Sequence, residues 1–151
     1  MIMPASLETV PVILLAEDQP EDVILLRLAL ETAGLPNPLF SVCDGQDAVD
    51  YLNGNGPYAD RQTYPLPSLL LLDLKMPLMD GFEVLTWLQS RPRFDDIVIV
   101  VLSSSNIELD VQRAKRLGAD DYQIKPNNHS DLVKIMRELH VRWLSSISKP
   151  A

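Results

Sequence analysis

The residues of this chain that could do chemistry are the acid pair Glu17-Asp18, Asp73, Ser103 and Lys125. Each stands where a short apolar run stops, so each is delivered to the tip of an element that buries itself. Three carboxylates, a hydroxyl and an ammonium sharing one place would form a shallow, acid-rich site. Like charges that close raise one another's pKa unless a cation joins them. Donors that are all oxygen favour a hard ion that keeps several waters, which makes Mg²⁺ the natural guest. Zinc lacks a donor set here: Cys43 is the only cysteine, and His129 and His140 read as surface residues of the final helix.

What must position these side chains is a sheet. Ser68 to Gly81 is the organising stretch, with Leu69-Leu70-Leu71-Leu72 too short for a helix and suited to a strand buried on both faces. Asp73 follows directly, at the carboxyl end of that strand, where open α/β sheets gather ligands. Pro77 then bars simple helical continuation, and Asp80 with Glu83 reads as the cap of the next helix.

The rest of the chain repeats the pattern. Val12 to Ala16 is a strand ending on Glu17-Asp18, and Gln19 to Asp22 opens a helix with Pro20 in its first turn, ending near Gly34. Pro38 to Cys43 is a weaker strand, in which Cys43 reads as a small core residue. Asp44 to Asp47 caps a short helix that stops at Asn53-Gly54-Asn55-Gly56. Pro57 to Pro67 is an extended surface connection. A helix from Asp80 to about Ser90 follows the leucine strand, and Ile97 to Leu102 is a further strand ending on Ser103. Ser105 and Glu108 fit a capping box for a helix lasting to Leu117-Gly118. Asp120 to Ile124 is the last strand, ending at Lys125-Pro126, and the final helix spans about His129 to Leu144. Strand and helix alternate five times, which demands a doubly wound α/β fold: a five-stranded parallel sheet with helices on both faces. Strand ends of a parallel sheet share one edge, so the chemistry-bearing residues should meet there.

Composition narrows the function. The chain has 151 residues, 46% apolar and 23% charged, with a formal charge of −8. That is one domain of ordinary globular character, with no basic patch for a nucleic-acid backbone. No apolar run reaches membrane-spanning length, and the N-terminus lacks a signal-peptide pattern. A lone cysteine excludes an internal disulfide and fits a reducing, cytoplasmic setting. Residues 1–10 read as a flexible leader, 11–146 as the folded domain and 147–151 as a tail.

Glu17-Asp18, Asp73 with Lys75-Met76-Pro77 and Asp80-Gly81, Ser103, Tyr122 and Lys125-Pro126, in this order and spacing, resemble the response-regulator receiver domains of two-component signalling, which have a flavodoxin-like fold. The segments Glu17 to Leu30, Gly56 to Asp60 and Val101 to Ser105, with the ending at Trp143, are further similar to the stand-alone regulators that serve cyanobacterial and bacterial phytochromes. The resemblance implies that Asp73 accepts a phosphoryl group from a sensor histidine kinase, a phytochrome among the candidates. It implies Mg²⁺ held by Asp18, Asp73 and the Lys75 backbone carbonyl. Glu17 stands where an aspartate is more usual and would reach the ion through a bound water. Lys125 and Ser103 would neutralise and hydrogen-bond the phosphoryl group. Ser103 and Tyr122 become the switch pair, Lys75 and Ser105 tune phosphoryl lifetime, and the Lys125-Pro126 bond is a candidate cis peptide.

Other readings compete. A hydrolase working through an aspartyl-phosphate needs a second acid two residues after the nucleophile, and Lys75 occupies that place. A degenerate receiver acting as a phosphorylation-independent interaction module is the alternative function. A transcription factor is not expected, because too few residues follow Trp143. The chain is therefore expected to be a signalling protein rather than an enzyme, with phosphotransfer and autodephosphorylation its only reactions. Its output would be a downstream protein target or a phosphotransfer protein. In the last helix Leu132, Ile135, Leu139 and Trp143 form one apolar stripe for the sheet. Val133, Met136, Val141 and Leu144 lie partly outside it, which predicts a homodimer through the C-terminal region.

Overall fold

Leu69–Leu72, here β3, is the middle strand of a five-stranded parallel sheet with the order β2-β1-β3-β4-β5. The structure is a computed structural model and describes residues 10–145, so residues 1–9 of the expected leader, residue 146 and the expected tail 147–151 lie outside the described residues. The other strands are β1 (Ile13–Ala16), β2 (Leu39–Val42), β4 (Val98–Ser103) and β5 (Asp121–Ile124). Five helices alternate with them: α1 (Pro20–Thr32), α2 (Gly45–Asn53), α3 (Gly81–Gln89), α4 (Glu108–Arg116) and α5 (His129–Leu139), the last continued by a π-helical turn, His140–Leu144.

The period of two along each strand sorts the apolar residues into two cores. Leu14, Leu70, Leu72, Ile99 and Val101 face α2, α3 and α4, where they meet Leu52, Leu85 and Ala114. Ile13, Leu15, Leu69, Leu71 and Val100 face α1 and α5, where they meet Leu26, Ala29, Val133 and Met136. Each fully buried leucine of β3 contributes about 1.5–3 kcal/mol of transfer free energy, which is why the middle strand is wholly apolar. Helix ends follow the sequence closely. Pro20 opens α1, Asp44 caps α2 through the Asp47 amide, and Asp80 with Glu83 forms a reciprocal capping box on α3.

Several local expectations are overturned. Ser105 and Glu108 form no capping box: α4 starts at Glu108 behind Ile107, which supplies no side-chain cap, and the Ser105 hydroxyl is taken by Asp110 instead. Lys125-Pro126 is trans, as is every peptide bond among the described residues. Cys43 is exposed, because β2 is an edge strand that ends one residue earlier and the thiol points toward Asp44 and Asp47. His140 is half-buried rather than a surface residue. The buried arc of the last helix is Leu132, Val133, Met136 and Leu139, continued by Leu144, while Ile135 and Trp143 lie at its edge. That shift arises because α5 packs against α1 as well as the sheet, so two of its sides are covered.

The connection from α2 to β3 is anchored rather than simply extended. It holds a 3-10 turn, Gly56–Ala59, and the rings of Tyr58 and Tyr64 pack on Tyr51 of α2. Arg61 donates to the carbonyls of Tyr51 and Leu52 at 2.8 and 2.7 Å, satisfying the last turn of α2.

Candidate functional site

Parallel pairing carries Glu17, Asp73, Ser103 and Lys125 to one edge. Backbone bonds fix the strand tips: Glu17 N–H donates to Val42 O at 3.0 Å, Asp73 N–H to Ala16 O at 3.1 Å, and Lys125 N–H to Ser103 O at 2.8 Å. The β3–α3 loop is folded back on the same point. Gly81 N–H donates to Leu74 O at 3.0 Å, and a Cβ at Gly81 would lie 2.4 Å from the Asp73 carbonyl oxygen. Only glycine lets α3 start that close. Within the loop Leu78 takes φ = 65° and is 84% exposed, an uncommon conformation for a leucine.

Glu17, Asp18 and Asp73 each present a carboxylate oxygen within a set whose members all lie within 4.8 Å of one another. Glu17 and Asp73 are buried and Asp18 half-exposed. Lys125 joins Glu17 and Asp73, donating to Glu17 and to Asp73 Oδ2 at 3.3 Å, and also donates to Asp22 Oδ2 at 2.9 Å. Burial, with the nearby Asp73 charge, pushes the Glu17 carboxyl up to about 7 even though Lys125 pulls the other way. Burial works against the Lys125 ammonium, but its hydrogen bonds to Glu17 and Asp22 and the charge of Asp73 outweigh it and raise its pKa.

The donor set suits a hard cation. All three clustered ligands are carboxylates, one of them open to solvent, and a single ammonium leaves them with surplus negative charge. Lys75 sits at the rim with its side chain exposed and its amide 3.4 Å from Asp73 Oδ1.

Ser103 is fully buried at the end of β4, and its hydroxyl accepts from the Ser105 amide at 3.3 Å. Tyr122 packs against the core on the α3–α4 side and donates its hydroxyl to the Ser105 carbonyl at 2.8 Å. The structure thus gathers Glu17, Asp18, Asp73 and Lys125 with Lys75 at the rim, and joins Ser103, Ser105 and Tyr122 in a second set of contacts beyond the end of β4. It adds Asp22, which the sequence marked only as a dipole-facing acid in the first turn of α1. Its one signal was that α1 starts from the acid-bearing end of β1. Asp110 was likewise missed, because Glu108 offered a better-looking cap.

A doubly wound sheet with an acid cluster, a buried serine and a lysine along one edge is the receiver architecture. The sequence profile of the response regulator receiver domain matches residues 13–137, and the chain belongs to that family. Among its relatives, Response regulator Rcp1 of Synechocystis sp. is 36% identical over 140 residues, 93% of each chain. The structure of the phosphorylated cyanobacterial phytochrome response regulator RcpA superposes with a TM-score of 0.84 at 36% identity, covering 95% of this chain and 100% of that one. The Mn²⁺-bound form of Rcp1 gives 0.79 at 35% identity, covering 93% and 99%.

Proposed function

We propose that this protein is a response regulator that accepts a phosphoryl group on Asp73 from a sensor histidine kinase of the phytochrome type. The observation that carries the reading is the placement of a buried Asp73 carboxylate 3.3 Å from Lys125 and within the Glu17–Asp18 acid set. Likeness to the cyanobacterial phytochrome response regulator RcpA supports the choice of kinase.

In the transfer, a carboxylate oxygen of Asp73 forms a bond to phosphorus as the phosphorus–nitrogen bond of the kinase phosphohistidine breaks. A carboxylate is a weak nucleophile, so the protein contributes position and charge. Asp18, Asp73 and the Lys75 carbonyl would hold Mg²⁺, with Glu17 behind a water, and the Mn²⁺-bound Rcp1 structure supports a divalent ion in such a site. When bound, the ion supplies neutralisation of the phosphoryl oxygens. Lys125 exchanges part of its carboxylate bonding for the incoming oxygens, and Ser103 donates its hydroxyl to one of them. Tyr122 follows Ser103 as the switch, while Lys75 at the rim and the buried Ser105 set how fast water removes the group. Autodephosphorylation is then the only hydrolysis the protein performs.

The signal passes to a protein partner or an onward phosphotransfer protein in the cytoplasm, through the folded unit of residues 11–146. The protein acts as a homodimer with the C-terminal region near the interface, where Val141 is 73% exposed. Incubation with Mg²⁺ and acetyl phosphate, read by intact mass and peptide mapping, is expected to add one phosphoryl group at Asp73. Asp73→Asn should abolish it, and labelling that survives this substitution overturns the reading. Profiling against the host's histidine kinases then identifies the donor.

A further inference from the structure

The connection between β4 and α4 carries a fastening outside the acid cluster. Ser105 is buried, and its polar atoms are all engaged. Its amide donates to Ser103 Oγ at 3.3 Å and its carbonyl accepts from the Tyr122 hydroxyl at 2.8 Å. Its own hydroxyl donates to Asp110 Oδ2 at 2.6 Å, and it accepts more weakly from the Ile107 amide at 3.4 Å. Asp110 lies in the first turn of α4, a helix otherwise lacking a side-chain cap. A carboxylate on α4 therefore grips a residue hydrogen-bonded to both Ser103 and Tyr122.

The geometry points to Asp110 as a positioning residue that latches Ser105, and through it Ser103 and Tyr122, into one arrangement of the β4–α4 connection. A hydroxyl-to-carboxylate bond of this length is charge-assisted and roughly twice as strong as a neutral one. Ser105 moves with its neighbours on the chain, so releasing the hydroxyl frees the carbonyl that holds Tyr122. The latch sets how readily Tyr122 leaves that carbonyl, and thus how far the connection is biased before any phosphoryl group arrives. This inference rests on the reading of Ser103 and Tyr122 as the switch pair.

The test uses the full chain labelled with 3-fluorotyrosine. Its four tyrosines give separate fluorine resonances, with Tyr122 assigned by Tyr122→Phe. In Asp110→Ala and in Ser105→Ala the Tyr122 resonance is expected to move, reporting a roughly tenfold change in the ratio of its two arrangements, the scale of one hydrogen bond to a charged group. Tyr51, Tyr58 and Tyr64 should stay in place, which separates a latch from general loosening. Asp110→Asn keeps an acceptor oxygen and should fall between wild type and Asp110→Ala. The double variant should add nothing to either single one. An unmoved Tyr122 resonance in Asp110→Ala and Ser105→Ala overturns the latch. Absence of a phosphoryl group on Asp73 in the wild type would instead overturn the site reading, since the fluorine measurement needs no phosphorylation.

Discussion

The ammonium nitrogen of Lys125 stands 3.3 Å from a carboxylate oxygen of Asp73, although β4 separates their two strands in the sheet. The lysine side chain spans the edge of the intervening strand to reach it. Because Lys125 also binds Glu17 and Asp22, it ties the first turn of α1 to the tips of β1 and β3.

Lys125→Met should therefore leave a folded chain that accepts a phosphoryl group poorly. Loss of one preorganised donor to developing charge typically slows such a step by about 10²–10³-fold. Stopped-flow or quenched labelling with acetyl phosphate at saturating Mg²⁺ measures it, and an unchanged rate would remove Lys125 from the site.

Glu17 links the site to pH. Its carboxyl titrates near 7 in the folded protein against an ordinary 4.5. Between those values the folded state holds more protons than the unfolded one, so metal-free stability should fall as pH rises through that window. Added Mg²⁺ competes with the same proton. Its affinity, followed by calorimetry, is expected to weaken below a pH of about 7, by up to roughly tenfold per pH unit if one proton is displaced. Glu17→Gln should flatten both dependences.

Gly81→Ala tests the seating of α3 on Asp73. The added methyl would meet the Asp73 carbonyl at 2.4 Å and Leu74 Cα at 2.8 Å, both backbone atoms that cannot swing aside. A loss of about 1–3 kcal/mol, the usual cost of overpacking, is expected in urea unfolding.

The dimer needs different probes from those the sequence suggests. Met136 and Leu144 are buried within the monomer core, so a glutamate at either should cost several kcal/mol of folding stability. Val141→Glu should change stability by about 0.5 kcal/mol or less. Sedimentation of wild type and Val141→Glu at micromolar concentration separates the cases, and a strictly monomeric wild type would remove the dimer.

Much of this was legible in the chain. The leucine run, the alternation of strands and helices and the polar residue closing each run fixed the sheet and its functional edge, because burial of both sheet faces leaves little choice of pattern. Helix caps were legible where one side chain sat in reach of one amide, as at Asp44 and Asp80. At Ser105 the hydroxyl could accept from the Glu108 amide as a cap or donate to a carboxylate, and the outcome, a bond to Asp110, depends on how α4 turns after Ile107. Asp22 joined the site only because the Lys125 side chain, just after β5, reaches the first turn of α1, a long-range fact with no local signature. The buried face of α5 was misread for a similar reason: a helical period shows that a face is apolar, not how many neighbours cover it.

The four leucines of β3 carry a final consequence. A run of identical side chains has a weak internal ruler, since sliding it by one position keeps leucine at three of the four strand positions and brings only Ser68 or Asp73 into the fourth. Its alignment is set at the ends, by Ser68 donating to Val12 O at 2.8 Å and by α3 closing onto Asp73 at Gly81. A slipped chain could thus keep most of its leucine packing and still present Leu72 or Leu74 where Asp73 belongs. At this strand, folding correctly and working correctly are separate problems, and the residues beside the site solve the second.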